Sequence, residues 1–172
     1  ETATAEMNIR VKNPHLWNTE TPYLYEVHTE LSSGGVKLDS LETRTGLRWI
    51  TSTGKTSKNT VLTAADDQQI LLNDQPLTLY GINKNQQCSY IGNSGTEKLY
   101  EKDAYTLKYD LGVNFVRTAH YSQDPDFFEA CDEIGILVEE ESLAWNTMPE
   151  TAKPQFVDSI ISMVKRDRNH PC

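Results

Sequence analysis

The stretch Gly112-Val113-Asn114-Phe115-Val116-Arg117-Thr118-Ala119-His120-Tyr121 places a guanidinium and an imidazole three residues apart where an apolar run ends. A guanidinium is a fixed cation with a planar fork of donors, and an imidazole titrates near neutrality. Together they can hold a carboxylate ionised. Three carboxylates, Glu139, Glu140 and Glu141, follow a second apolar run, Ile136-Leu137-Val138, and Asn83 follows Gly81-Ile82 at the end of a third. Each residue also has a plainer use. Arg117 serves a structural salt bridge equally well, His120 fits a packed position bonded to backbone, and the glutamates can be partly solvated surface charges.

The elements that must position these groups are legible in the periodicity. From residue 77 onward strand and helix patterns alternate, with strands near 77 to 82, 113 to 117 and 136 to 140 and helices near 97 to 111, 124 to 134 and 154 to 166. Tyr100, Ala104, Leu107 and Leu111 recur at helical spacing before the stop at Gly112, and Asp124-Pro125 is an N-cap with proline at the first helical position. Val157, Ile160, Ile161 and Val164 make the stripe of the last helix. Alternation of this kind predicts parallel strands joined by helical crossovers, as in an α/β barrel or a doubly wound sheet. Both architectures put their sites at the C-terminal ends of the strands, where Asn83, Arg117, His120 and Glu140 are expected.

Residues 5 to 50 read as β structure instead. Met7, Ile9 and Val11 alternate with polar neighbours, as do residues from Tyr23 to Leu31; Ser32-Ser33-Gly34-Gly35 is a turn, and Val36 to Ile50 returns as one or two strands with Gly46 as a bulge or kink. This is an incomplete antiparallel β-sandwich, since only three or four strands precede residue 50. Residues 51 to 60 carry no apolar side chain and read as a loop; Gly54-Lys55-Thr56 there lacks the upstream glycine of a phosphate loop. Ile70 to Leu72 and Leu77 to Tyr80 flank a tight turn at Asn73-Asp74-Gln75-Pro76. The expected division is therefore residues 1–75 and 76–172.

Composition narrows the function. A formal charge of -9 with no Lys/Arg cluster excludes a nucleic-acid groove and an anionic membrane surface, no segment is long enough to span a bilayer, and a neutral ligand suits the balance. Cys88, Cys131 and Cys172 are odd in number and lack metal-ligand spacing, so free thiols, no metal and a cytoplasmic location are expected, with export left open.

Eight motifs occur in order: Asn13-Pro14-x-Leu16-Trp17, Pro22-x-Leu24-Tyr25, Gly46-Leu47-Arg48, Leu72-Asn73, Gly81-Ile82-Asn83, Val116-Arg117-x-x-His120-Tyr121, Cys131-Asp132-Glu133-x-Gly135 and Arg166-Asp167-Arg168-Asn169-His170-Pro171. Together they closely resemble glycoside hydrolase family 2, the family of β-galactosidases, β-glucuronidases and β-mannosidases. The resemblance implies that residues 1–75 are the C-terminal part of an immunoglobulin-like β-sandwich and residues 76–172 the N-terminal part of a catalytic (β/α)8 TIM barrel. It implies retaining hydrolysis of β-glycosides by two glutamates roughly 5 Å apart, both beyond residue 172, so that the chain alone is inactive. It further implies a carbohydrate partner, no cofactor, and a substrate-binding set of Asn83, Asn85, Arg117, His120, Glu140 and Trp145. In that set Arg117 sits near the nucleophile, His120 bonds sugar hydroxyls, Glu140 holds the family's acidic position, and Trp145 either stacks on a sugar or covers the barrel. The chain departs from the family pattern at Asn85, where a histidine is common, and at Gln87, where one large subset has an aspartate, and two titratable groups become amides. A non-catalytic carbohydrate-binding or structural module of the same fold is the alternative. Three strands of a barrel leave sheet edges uncovered, which predicts self-association or a homo-oligomer.

Overall fold

The computed structural model describes residues 4–53, 69–143 and 149–172. A two-stranded antiparallel ribbon comes first, β1 (Tyr25–Ser33) and β2 (Val36–Thr45), joined through Gly34 and Gly35 at φ 60° and 80° and shifted in register between Leu31 and Ser32. The sandwich expected here is only this ribbon. Met7, Ile9 and Val11 form no strand and stay exposed, as do Leu31, Val36, Leu38 and Leu41, because no second sheet faces them among the described residues. A three-stranded antiparallel sheet follows, β3 (Ile50–Ser52), β4 (Ile70–Leu72) and β5 (Gln75–Leu77). Its β4–β5 turn has Asn73 and Asp74 at φ 52° and 65°, the backbone of a two-residue hairpin loop. β5 spans the division drawn at residues 75 and 76. The Gly54-Lys55-Thr56 stretch and most of the polar loop of residues 51 to 60 lie outside the described residues.

The third sheet is parallel: β6 (Gly81–Lys84), β7 (Phe115–Thr118) and β8 (Leu137–Glu139), in the order β6-β7-β8. Each strand is followed by a helix, α1 (Glu97–Tyr105), α2 (Pro125–Ile134) and α3 (Lys153–Asp167), and α1 runs on through a π turn over Thr106–Asp110. The first strand starts at Gly81 and not at Leu77, since Leu77 is taken by β5. α2 has the expected caps: the Asp124 carboxylate accepts from the Asp126 N–H at 3.1 Å, and Gly135 closes the helix at φ 84°. The apolar stripe of α3 stays largely uncovered, with Val157, Ile161 and Val164 about half exposed.

Trp17, Tyr100, Val116, Phe127, Cys131 and Ile136 form the fully buried core, between α1, α2 and the parallel sheet. Trp17 comes from the first part of the chain. Its indole N–H donates to the Asp132 carbonyl at 2.7 Å, its backbone N–H donates to Leu47 at 2.9 Å, and a Cβ on Gly46 would stand 2.8 Å from both Trp17 and Pro171. Gly46 is thus a point of close approach, whereas the ribbon's irregularity lies at Leu31 and Ser32. Arg48 Nε donates to the Pro171 carbonyl at 2.8 Å, and Arg44 pairs with Glu129 and Glu133 of α2. The two parts share one joint.

Candidate functional site

β7 alternates: Val116 and Thr118 are fully buried, while Phe115 and Arg117 point to the opposite face. Parallel pairing sets Asn83 of β6 beside Arg117 of β7 and Arg117 beside Glu139 of β8, so the three C-terminal ends share one edge. Arg117 Nη1 lies 3.4 Å from Asn83 Oδ1, and Nε and Nη2 both pair with one carboxylate oxygen of Glu141. The other Glu141 oxygen meets His120 Nδ1 at 2.7 Å, and the Glu141 backbone N–H donates to Thr118 Oγ1 at 2.8 Å. Glu141, outside the expected substrate-binding set, is the carboxylate that joins the arginine to the histidine. Hydrogen bonding from His120, and then Arg117, holds its carboxyl below the usual carboxylate range. The Ala119–His120 peptide bond at this loop is cis.

Glu140, given the acidic position in sequence, turns elsewhere. It accepts from Ser122 Oγ at 2.5 Å and lies 3.5 Å from Arg166 Nη2, while Arg166 Nε donates to Asp167 at 2.7 and 2.9 Å. Burial, opposed by the Ser122 hydroxyl and reinforced by Asp167, pushes the Glu140 carboxyl up to about 7. A pocket of about 310 Å³ opens beside this network between Tyr121, Ser122, Ser142 and α3. Consecutive residues past a strand end point to different sides, and this separates the two glutamates.

Asn85 does not join the cluster. β6 ends at Lys84, so Asn85 has left the strand's alternation and lines a groove against α1 with Lys84, Leu99 and Lys102. Trp145 lies outside the described residues. A supporting residue the sequence did not reveal is Gln86, buried between the loops after β6 and β7. Its amide donates to Asn93 and Tyr100 at 2.6 and 3.0 Å and its oxygen accepts from Asp124 N–H at 2.7 Å. The neighbouring amides Asn85 and Gln87 look equivalent to Gln86 in sequence, but both are exposed and Gln86 is buried.

Asp132, His170 and Cys172 also gather, with ligand-type atoms within 4.8 Å of one another. Both Asp132 oxygens are already engaged, by His170 Nδ1 at 2.6 Å and the Cys172 backbone N–H at 2.8 Å. Burial pushes the Cys172 thiol well up, which keeps it protonated, whereas a metal needs the thiolate. The group is a hydrogen-bonded knot under the joint. A cleft of about 450 Å³ borders it between Arg44, Glu129 and His170, away from the strand ends.

The description "Glycosyl hydrolases family 2, TIM barrel domain" matches residues 63–172, and "Glycosyl hydrolases family 2" matches residues 1–48. A β-galactosidase of Thermoanaerobacter pseudethanolicus is 38% identical over 165 residues, covering 95% of this chain and 21% of that protein. A putative β-glucuronidase of Formosa agariphila is 33% identical over 177 residues, covering 98% of this chain and 19% of that protein. Among solved structures, the Parabacteroides merdae β-glucuronidase crystallised with glycerol in its active site superposes with a TM-score of 0.78 at 28% identity, covering 94% of this chain and 19% of that one. The chain spans about a fifth of the length of the curated relatives it matches.

Proposed function

Because the chain belongs to glycosyl hydrolase family 2, we propose that its parallel strand ends form the opening part of the sugar pocket of a β-glycosidase. The observation that carries this reading is the convergence of Asn83, Arg117, His120 and Glu141 on the C-terminal edge of β6, β7 and β8. An amide, a cation, an imidazole and a carboxylate on one rim offer both donors and acceptors to a polyhydroxyl ligand. On this reading residues 1–75 finish an immunoglobulin-like domain and residues 76–172 open the barrel. Three free cysteines suit a reducing, cytoplasmic setting.

Retaining hydrolysis needs a nucleophile below the anomeric carbon and a proton donor at the leaving oxygen, two carboxyls roughly 5 Å apart. Two of the carboxyls at this edge are already committed: Glu141 to Arg117 and His120, Glu140 to Ser122 and Arg166. The catalytic pair is accordingly assigned beyond residue 172, and Arg117 and His120 orient sugar and nucleophile. The 172-residue chain is expected to show no turnover of aryl β-galactoside or aryl β-glucuronide, whereas the complete protein turns over at least one aryl β-glycoside. In that protein Arg117→Ala lowers the rate of glycosyl-enzyme formation more than it weakens binding, and His120→Ala mainly weakens binding. Unchanged steady-state kinetics in both variants would remove the residues from the site.

A further inference from the structure

An imidazole that binds hydroxyls must be held at the backbone as well as at the ring, and both chain neighbours of His120 are tied to the exit of β6. The Ala119 N–H donates to the Lys84 carbonyl at 2.9 Å, which continues the parallel ladder of β6 and β7 by one step. The Tyr121 hydroxyl accepts from the Gln86 backbone N–H at 3.1 Å and donates to the Gln86 carbonyl at 3.2 Å. The first tie comes with the strand pairing. The second depends on where a single loop residue sits.

β6 ends at Lys84, so Gln86 lies beyond the ladder and its side chain has to fix it. Only 8% of the residue is exposed. The amide nitrogen donates to the Asn93 carbonyl at 2.6 Å and to the Tyr100 hydroxyl at 3.0 Å, and the amide oxygen accepts from the Asp124 N–H at 2.7 Å. Each bond reaches a different element: the returning limb of the β6 loop, α1, and the N-cap of α2. A Cβ on Gly95 would stand 2.6 Å from the Tyr100 ring, so the returning limb is packed hard against α1. Without the amide, buried polar groups on all three elements lose a partner, and displacement of the loop relieves this. Resting on the reading of this edge as a glycoside pocket, we infer that Gln86 is a positioning residue for His120. Its buried amide sets the Gln86 backbone, that backbone sets Tyr121, and Tyr121 sets the main chain that carries the imidazole, while Glu141 holds the ring.

Steady-state kinetics of the complete protein, on the aryl β-glycoside it turns over best, test this through a double-mutant cycle of Gln86→Leu with His120→Ala. Leucine keeps most of the bulk of the side chain and none of its hydrogen bonds. Gln86→Leu alone is expected to raise KM at least about fivefold while kcat changes less than about twofold, the same split assigned to His120. In the His120→Ala background the same substitution is expected to change KM by less than about twofold, because the group it positions is gone. A merely structural loss acts equally in both backgrounds, and that result overturns the inference. Unchanged KM in a folded Gln86→Leu protein, or a loss confined to kcat, overturns it as well. Tyr121→Phe removes the connecting hydroxyl alone, and should Gln86→Leu fail to fold, the same cycle run with Tyr121→Phe decides: an absent or additive effect on KM overturns the inference. If His120→Ala has unaltered kinetics, or the complete protein cleaves no aryl β-glycoside, the reading of this edge as a sugar pocket falls first and the inference goes with it.

Discussion

Glu140 and Glu141 are adjacent in the chain, yet their surroundings move their proton affinities in opposite directions. Burial next to Asp167 raises Glu140 to about 7 from an ordinary 4.5, and His120 with Arg117 lowers Glu141. For Glu140 the folded state holds the proton more tightly than the unfolded chain. Its contribution to stability is therefore fully present below pH 4.5 and is lost as pH rises through about 7. Glu141 has the opposite sign, contributing above its ordinary value and losing that contribution as acid protonates it. His170, raised by its bond to Asp132, adds a contribution present below 6.5 and lost on the alkaline side of its folded value. The melting temperature is expected to fall between about pH 5 and 8, and Glu140→Gln to flatten that slope. Thermal unfolding of the two proteins across this range checks it; equal slopes would mean that Glu140 is ionised in the fold at neutral pH.

At the level of elements, the joint between the ribbon and the barrel strands rests on contacts that are short and specific. A Cβ at Gly135 would stand 2.6 Å from the Thr19 carbonyl oxygen, at a φ of 84° that side chains rarely adopt. Gly135→Ala is expected to cost about 2–4 kcal/mol in urea unfolding, through strain and displacement of the Thr19 segment. Trp17→Ala removes a fully buried indole and its hydrogen bond, and about 3–5 kcal/mol is expected in the same measurement. The parallel strands, their helices and the caps at Asp124 and Gly135 were legible in the sequence because each rests on local periodicity and local capping chemistry. The Met7 to Val11 strand was misread for a physical reason: alternation shows that a segment could pair, but a strand forms only where a partner edge is present. Arg117 and His120 were found as motif residues. Glu141 was not, because three consecutive glutamates look alike until side-chain direction past the end of β8 is fixed by the Thr118 contact.

The whole molecule carries apolar and backbone surface that nothing covers among the described residues. β6 and β8 are the outer strands of the parallel sheet, and the Val138 N–H has found a single partner in the Cys172 carbonyl at 2.9 Å. Val157, Ile161 and Val164 on α3 and Tyr105, Tyr109 and Leu111 near α1 add exposed apolar area. The 172-residue chain is expected to self-associate as concentration rises, and more so in salt, since screening weakens the repulsion of a net charge of -9. Sedimentation velocity at low and high ionic strength checks this, and a monomer at both would count against it. The Trp17, Gly46 and Pro171 contact also bears on inheritance. Trp17 and Gly46 from the first part of the chain and Pro171 from its last turn meet within one close approach, so recombination that drew the two parts from distant ancestors would have to match all three. An exchange at the exposed tip of the ribbon would leave these contacts intact, whereas one between residues 46 and 171 would have to rebuild them.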